Sequence, residues 1–390
     1  MNFAQCRKYL FLFFVSVSAA FADTEPTLFH INKLPRSVKL YSKESITKGA
    51  KTILALDEIP PMHALDEKTA AKGYAKLDEV FNFRHSKDRT AAGFSQPSKN
   101  GIQNILEFLG SGKSGKNRTV YFDLREEPVL FINGKSYGFR ELDKQNKNLF
   151  ITGITPKELD ELERAMKEQI IQASRKNGGK IAVKKEVKEG AVSVEEIMIG
   201  EKNLRTTNET FQDVVSQGFQ VSFYRIPITD EHAPQISDVN SIVKIIDENK
   251  GARSRTFHCH LGHGRTTTGL TMASIIDKAP VAHPEKDGST DAEAIRKIAA
   301  VGEMAKALRF TGEDYALINA ATNENNISID LRKDVLAKME KGTSAQFQAT
   351  LKRYLTLMAL TKYARSPERK KGMGFTEWLD DKPRIAKLIE

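Results

Sequence analysis

The nine residues His258-Cys259-His260-Leu261-Gly262-His263-Gly264-Arg265-Thr266 constrain this chain more than any other feature. A short apolar strand, Thr256-Phe257-His258, precedes them, and a helix-like run from Thr267 to Asp277 follows. A strand, a glycine-rich turn and a helix start aim successive backbone N–H groups and a positive helix end at one point, which suits a phosphate dianion. The same field favours the thiolate of Cys259, the nucleophilic form. Gly262 and Gly264 stand where the backbone turns its N–H groups inward and a Cβ would not fit. Arg265 offers a planar fork to two phosphoryl oxygens. Thr266 can donate its hydroxyl to the sulfur as it leaves. Cys-x5-Arg alone is a weak pattern, but the whole string between strand and helix is specific. It reads as a phosphatase working through a phosphocysteine intermediate, with His258, His260, Leu261 and His263 around the bound group.

A phosphate ester also needs a proton for its leaving oxygen. Asp230 lies 29 residues before Cys259, on a loop running to Pro234 at the end of the preceding strand. Adjacent parallel strands would bring both loops to one sheet edge, where such folds bind ligands. Glu231 competes for the acid's role, and His232 follows it. His260 and His263 either add positive charge for neighbouring phosphates or satisfy loop carbonyls. Arg84, Lys87, Asp123 and Arg125 are candidates to line the pocket. His-Cys-His is too tight for a usual zinc set and no second ligand cluster appears, so no metal or other cofactor is expected.

The chain opens with Arg7-Lys8, runs apolar from Tyr9 to Val17 and reaches Ala20-Phe21-Ala22. That order predicts a signal peptide over 1–22, too short to span a bilayer, and hence an exported protein, periplasmic or secreted. Of two cysteines, Cys6 would leave with it, and a lone thiol in an oxidising compartment favours a reactive Cys259. Net charge is +10, or +8 without the two basic residues of 1–22, which suits a polyanionic small molecule. The positive residues are scattered among acids without a basic stripe interleaved with aromatics, so nucleic acid is not the expected partner. No later apolar run approaches membrane-spanning length.

Residues 23–80 are polar and weakly periodic, with a Pro60-Pro61 break, and predict irregular structure wrapping a phosphatase domain over 81–390. A helix begins at Ser98 with Ile102, Ile105, Leu106 and Leu109 on one face, closed by Gly110. Thr119 to Leu124 reads as a buried strand, and Val129 to Ile132 as half of a hairpin turning at Asn133-Gly134. Thr155-Pro156-Lys157-Glu158 is a capping box opening a helix that ends at Asn177-Gly178-Gly179. Short strands and turns over 180–215 predict a β-rich insertion, built around 125–150 and 178–215. Phe219 to Ile228 is another strand, followed by a helix with Val239, Ile242, Val243 and Ile246 inward. The final third reads as helical, with an amphipathic stretch through Phe347, Leu351, Leu355 and Met358. Alternating strands and helices give an α/β domain with a largely parallel sheet.

At these residues the chain resembles the cysteine phytases, the protein-tyrosine-phosphatase-like inositol polyphosphatases. Beyond the loop, Asn82-Phe83-Arg84, Phe94-Ser95-Gln96-Pro97-Ser98, Asp123-Leu124-Arg125-Glu126-Glu127, Phe131-Ile132-Asn133-Gly134, Tyr224-Arg225-Ile226-Pro227 and Thr229-Asp230 occur in the family's order. The likeness covers roughly residues 80 to 280, with a looser match at Phe375-Thr376-Glu377-Trp378-Leu379. It implies the tyrosine-phosphatase fold, a mostly parallel sheet flanked by helices, with a small partial β-barrel insertion. It implies Cys259 as nucleophile, Arg265 as phosphate clamp, Asp230 as general acid, and Arg84 and Asp123 as substrate holders. The implied substrates are phytate and lower inositol phosphates. Two features depart from the common pattern. Glu231 follows the acid where many bacterial members have histidine, a form resembling the paladin-like branch. His260 and His263 occupy positions that are lysines in phosphoinositide phosphatases. A protein-tyrosine, dual-specificity or phosphoinositide phosphatase, or a non-catalytic inositol-phosphate-binding module, are the alternatives.

Overall fold

The computed structural model describes residues 29–30, 39–40, 51–57, 76–141, 148, 151–188, 191–281 and 290–390. The expected signal peptide over 1–22 lies outside these residues, as does most of the 23–80 segment. The strands in chain order are β1 (Phe29–His30), β2 (Lys39–Leu40), β3 (Lys51–Leu56), β4 (Arg84–His85), β5 (Ala91–Phe94), β6 (Thr119–Arg125) and β7 (Val129–Ile132). They continue as β8 (Lys135–Glu141), β9 (Ile151–Thr152), β10 (Lys180–Lys188), β11 (Ala191–Met198), β12 (Leu204–Thr206), β13 (Val221–Ile228) and β14 (Ser254–His258).

Five of them form the sheet that carries the loop, in the order β13-β6-β14-β5-β4. β13, β6, β14 and β5 run parallel, and β4 closes the edge antiparallel. Every residue of β6 is buried, as expected of a central parallel strand covered on both faces. The helices Lys99–Phe108, Ile236–Glu248 and Gly264–Lys278 alternate with these strands and cover the sheet, so the domain is α/β with a largely parallel sheet flanked by helices. Parallel strands end on the same side. Phe94, Arg125, Ile228 and His258 therefore stand along one carboxyl edge, where ligands bind in folds of this kind.

One strand relation differs from expectation. β13, which leads to Asp230, does not neighbour β14: β6 lies between them. The acid loop must therefore reach across the end of β6, and it meets the Asp123–Glu127 segment on the way.

A second sheet, most of whose strands lie between β6 and β13 in the chain, runs in the order β11-β10-β3-β8-β7-β12 with β1 against β3. It stands where the partial β-barrel was expected and is mostly antiparallel. The hairpin β7–β8 turns at Asn133 (φ 51°) and Gly134 (φ 81°), the left-handed pair that matches strand twist. Helix Pro156–Lys176 carries the capping box at Thr155 and buries Leu159, Leu162, Met166 and Ile170 against Leu54, Leu130, Ile132, Phe139 and Ile181.

The sequence expectation missed three features. β3 comes from the segment read as irregular, yet it sits inside this sheet between β10 and β8. Thr207–Ser216 is a helix within a stretch expected to hold only strands and turns, and its Thr206–Glu209 capping box was the overlooked signal. Helix Ser344–Ala364 is not amphipathic beyond its first turns. Leu351, Tyr354, Leu355, Leu357, Met358, Ala359 and Leu360 are all buried, so it is the central helix of the C-terminal bundle.

Candidate functional site

The loop after β14 is held in shape from outside. The N–H of Gln96 donates to the carbonyl of His260 (2.9 Å), and Asn82 Nδ2 donates to that of Leu261 (2.8 Å). Gly262 has φ +76°, and a Cβ there would lie 2.6 Å from the backbone of Phe94 and Ser95, so only glycine lets the loop press against the end of β5. The helix Gly264–Lys278 begins at the loop with neither a side-chain cap nor an acid in its first turn. Its first N–H groups have no intrahelical partners, so its positive end is left for an anion.

Cys259 lies at the base of this cradle, 3% exposed, with Thr266 Oγ1 3.2 Å from its sulfur. Three buried guanidiniums, Arg84, Arg265 and Arg353, are each electrostatically coupled to that sulfur. Arg265 donates to the carbonyl of Ile228 (2.9 Å) and to Glu127 Oε2 (3.1 Å), and its Nη2 lies 3.1 Å from Asp230 Oδ1. Burial pushes its pKa down, but Glu127, Asp230 and Cys259 more than offset this and raise it. The fork thus holds two carboxylates where a phosphoryl group would place oxygens.

The acid loop is ordered around this contact. The Asp230 side chain is 47% exposed and accepts the N–H of Glu231 (3.1 Å). Burial pushes its carboxyl up, but Arg265, His260, that N–H and Arg353 hold it below the ordinary aspartate value. Glu231 is exposed, with a left-handed backbone at φ 59°, so the carboxylate on the guanidinium is that of Asp230. His232 Nδ1 lies 2.7 Å from the carbonyl of Asp230 and shapes the turn.

Several expected substrate contacts sit deeper than expected. Arg84 is 1% exposed; it donates to the carbonyl of Asn82 (3.1 Å) and to Thr267 Oγ1 (2.9 Å). It supports the loop from below and adds positive charge, and burial lowers its pKa to about 10. Asp123 is 2% exposed, accepting from the Arg125 N–H (3.0 Å) and from Arg225 Nε (3.3 Å), with His258 Nε2 at 3.2 Å. It is a buried bracket between β6, β13 and β14, not a group facing the cradle. His258 stacks on Phe94, and its pKa falls to about 4, chiefly by burial, so the ring is neutral. His263 turns toward Ser328 and Asn82 at the rim.

The structure places the His260 ring against the inserted sheet. Burial, with Arg125 and Arg140 nearby, lowers its pKa despite the opposing pull of Asp57. The ring reaches into the insertion, 3.2 Å from Arg140 Nη2, 3.5 Å from Asp57 Oδ1 and 3.1 Å from Asn148 Nδ2. Its ring nitrogens are thus occupied by the insertion. Behind it lies a cluster that sequence reading missed. Asp57 is buried and takes Arg125 Nη1 (2.8 Å) on one oxygen and Arg140 Nη2 (2.6 Å) on the other. Arg125, read as a pocket-lining candidate, is the hub, reaching Gln96, Asp57 and Glu127. Lys87 is exposed on the turn between β4 and β5. Among the described residues no group of three or more His, Cys, Asp or Glu is placed to hold a metal ion.

A cysteine under a glycine-bent loop, with an arginine fork and the edge of a parallel sheet, defines the class: the protein-tyrosine-phosphatase-like α/β fold. The relatives agree. The PTPlike_phytase family model, described with inositol hexakisphosphate, matches residues 122–277. Paladin of Gallus gallus is 26% identical over 254 residues, 64% of this chain and 27% of that protein. Paladin of Homo sapiens is 25% identical over 207 residues, 50% of this chain and 21% of that protein. Among solved structures, the PTP-like myo-inositol phosphatase from Mitsuokella multacida, in complex with myo-inositol-(1,3,4,5)-tetrakisphosphate, superposes with a TM-score of 0.57 at 14% identity. That match covers 86% of this chain and 48% of the other. The tandemly repeated PTP-like phytase from the same organism gives 0.56 at 15%, with the same coverage. The match thus spans about a quarter of the Paladins' length and about half of these two structures. The chain is thus similar in fold to the PTP-like phytases and in sequence to Paladin.

Proposed function

We propose that the protein is a cysteine-dependent phosphatase of inositol polyphosphates. The observation that carries the reading is the convergence of Thr266 on the sulfur of Cys259 and of Asp230 on the fork of Arg265, at one sheet edge. A binder needs the cradle and the fork, but has no use for a thiol, a hydroxyl on its sulfur and a half-exposed carboxylate above it.

In this reading a bound phosphoryl group takes the place of Asp230 on Arg265. The sulfur attacks phosphorus, the bond to the ester oxygen breaks, and Asp230 gives that oxygen its proton. Losing the guanidinium to the substrate removes the strongest pull that holds Asp230 ionised, so binding itself readies the acid. Water then attacks the phosphocysteine while Asp230 accepts its proton. The P–S bond breaks with Thr266 donating to the departing thiolate, and orthophosphate leaves. The amides of the loop, already oriented, stabilise charge on the phosphoryl oxygens in both steps.

The inositol polyphosphate assignment is supported by the family match and by the buried arginines nearest the sulfur, Arg84, Arg265 and Arg353. The test is phosphate release from phytate, a soluble phosphoinositide and a phosphotyrosine peptide at pH 4 to 8, with Cys259→Ser beside the unaltered protein. Stepwise release from phytate that Cys259→Ser abolishes is expected. Turnover of the peptide with phytate inert would move the assignment to protein phosphatases, and full activity in Cys259→Ser would end the covalent mechanism.

A further inference from the structure

Arg353 has no place in the chemistry above, yet it touches both loops. It lies on helix Ser344–Ala364 in the C-terminal bundle, 94 residues beyond Cys259, and is 5% exposed. Its Nε donates to the carbonyl of His232 (2.9 Å), the turn whose ring Nδ1 lies 2.7 Å from the carbonyl of Asp230. Its fork lies against the start of the loop's helix: a Cβ on Gly264 would come within 2.6 Å of Nη1 and 3.4 Å of Nη2. One side chain from the bundle thus links the acid loop to the residue just before Arg265. It is coupled electrostatically to Asp230, Arg265 and Cys259.

We propose that Arg353 is a positioning residue that holds the acid loop over the phosphate loop, fixing Asp230 where it can protonate the leaving oxygen. The inference rests on the phosphatase reading and adds to it a device supplied by the helical bundle. A buried guanidinium suits the role. Its Nε–H bond to a carbonyl fixes backbone position, and its planar fork leaves little rotamer freedom to the turn it holds. Gly264 is then required for a second reason besides the bend, since any side chain there would displace Arg353.

A positioning role leaves a signature that loss of phosphate affinity does not. Protonation by Asp230 matters most when the leaving oxygen is basic and least when it is a good leaving group. The experiment measures kcat/KM for 2,4-dinitrophenyl, 4-nitrophenyl and phenyl phosphate in the unaltered protein, Arg353→Met, Asp230→Asn and the double variant. The expected result is a loss in Arg353→Met at least about tenfold larger for phenyl than for 2,4-dinitrophenyl phosphate. In an Asp230→Asn background, Arg353→Met should add little, because both changes remove one function. An equal loss across the three esters, full additivity in the double variant or no loss at all would each overturn the proposal. If Arg353→Met does not fold, Arg353→Lys, which keeps the charge but not the Nε–H, should show the same tilt at smaller size. Should the unaltered protein hydrolyse none of the esters, or Cys259→Ser hydrolyse them normally, the phosphatase reading itself fails. A normal parent with a flat Arg353 profile removes only the positioning role.

Discussion

Replacing Asp57 with asparagine removes a carboxylate that bridges Arg125 and Arg140 in the interior. Asp57 and Arg125 have fully buried side chains, and Arg140 is 9% exposed at its side chain. Each contact joins charge centres roughly 4 Å apart, worth about 4 kcal/mol at an effective dielectric of about 20. Burying the three ions cancels much of that gain, but removing only the anion breaks both buried pairs, at a cost of about 3–5 kcal/mol, and leaves Arg125 its contact with Glu127. With about 2.1 cal/mol/K of unfolding entropy per residue, a chain of 390 residues changes by roughly 0.8 kcal/mol/K near its midpoint. The expected fall in Tm is therefore about 4–6 °C, read by differential scanning calorimetry. Arg140→Met on the Asp57→Asn background should restore part of it, because one orphaned charge goes with the arginine. The pH dependence has a definite sign. Burial pushes the Asp57 carboxyl up, but Arg125, Arg140 and His260 hold it far below the usual range. A depressed carboxyl contributes stability that is complete above the unfolded value near 4 and is lost as pH falls below it. Stability of the unaltered protein should therefore fall more steeply below about pH 4 than that of Asp57→Asn. A fall of less than about 1 °C in Tm, or no difference in acid sensitivity, would refute the assignment of Asp57 as the anchor between insertion and loop.

Gly262→Ala places a Cβ 2.6 Å from the backbone of Phe94 and Ser95 at φ +76°, so left-handed strain of about 1–2 kcal/mol adds to overpacking of about 1–3 kcal/mol. Displacement of the amides should lower kcat/KM on the order of 10²-fold while far-UV circular dichroism is unchanged. Asp230→Asn should lower kcat/KM for phenyl phosphate by about 10²–10⁴-fold. Because the free protein holds Asp230 ionised, activity of the unaltered protein should decline as pH rises from 4 to 7, and the variant's profile should be flatter over that range. Glu126, 1% exposed, has its carboxyl raised to about 7, mainly by burial. A raised carboxyl gives stability that is complete below about pH 4.5 and is lost as pH rises through about 7, a change on the order of 3 kcal/mol. Glu126→Gln should remove that decline, so calorimetric melts at pH 5 and pH 8 should differ less than in the unaltered protein.

The parts legible in the chain were the short-range ones. Cys259, Gly262, Arg265 and Thr266 lie within eight consecutive residues, so strand, bend and helix start dictate how they face one another. The Ser98 cap, the Thr155 capping box and the Asn133-Gly134 turn are likewise written within four residues each. Long-range placements were not legible. Burial of Arg84 and Asp123 beneath the loop follows from packing among β4, β6, β13 and β14, and a charged residue at a strand end reads the same whether it faces a pocket or a core. Asp57 looked like one acid in a polar stretch, because its partners lie 68 and 83 residues away. Arg353 sat in a pattern read as an amphipathic helix, and only packing against the acid loop reveals its contact across 121 residues.

By itself, then, the sequence determined the bent loop around Cys259 and the run of strands and helices that carries it, because local backbone geometry and spacing suffice for both. Tertiary structure decided which charges neutralise one another: Asp57 with Arg125 and Arg140, Glu127 and Asp230 with Arg265, and Arg353 between the two loops. The physical reason is that a buried charge is stable only beside its counter-charge or hydrogen-bond partner, and folding chooses that partner from any distance along the chain.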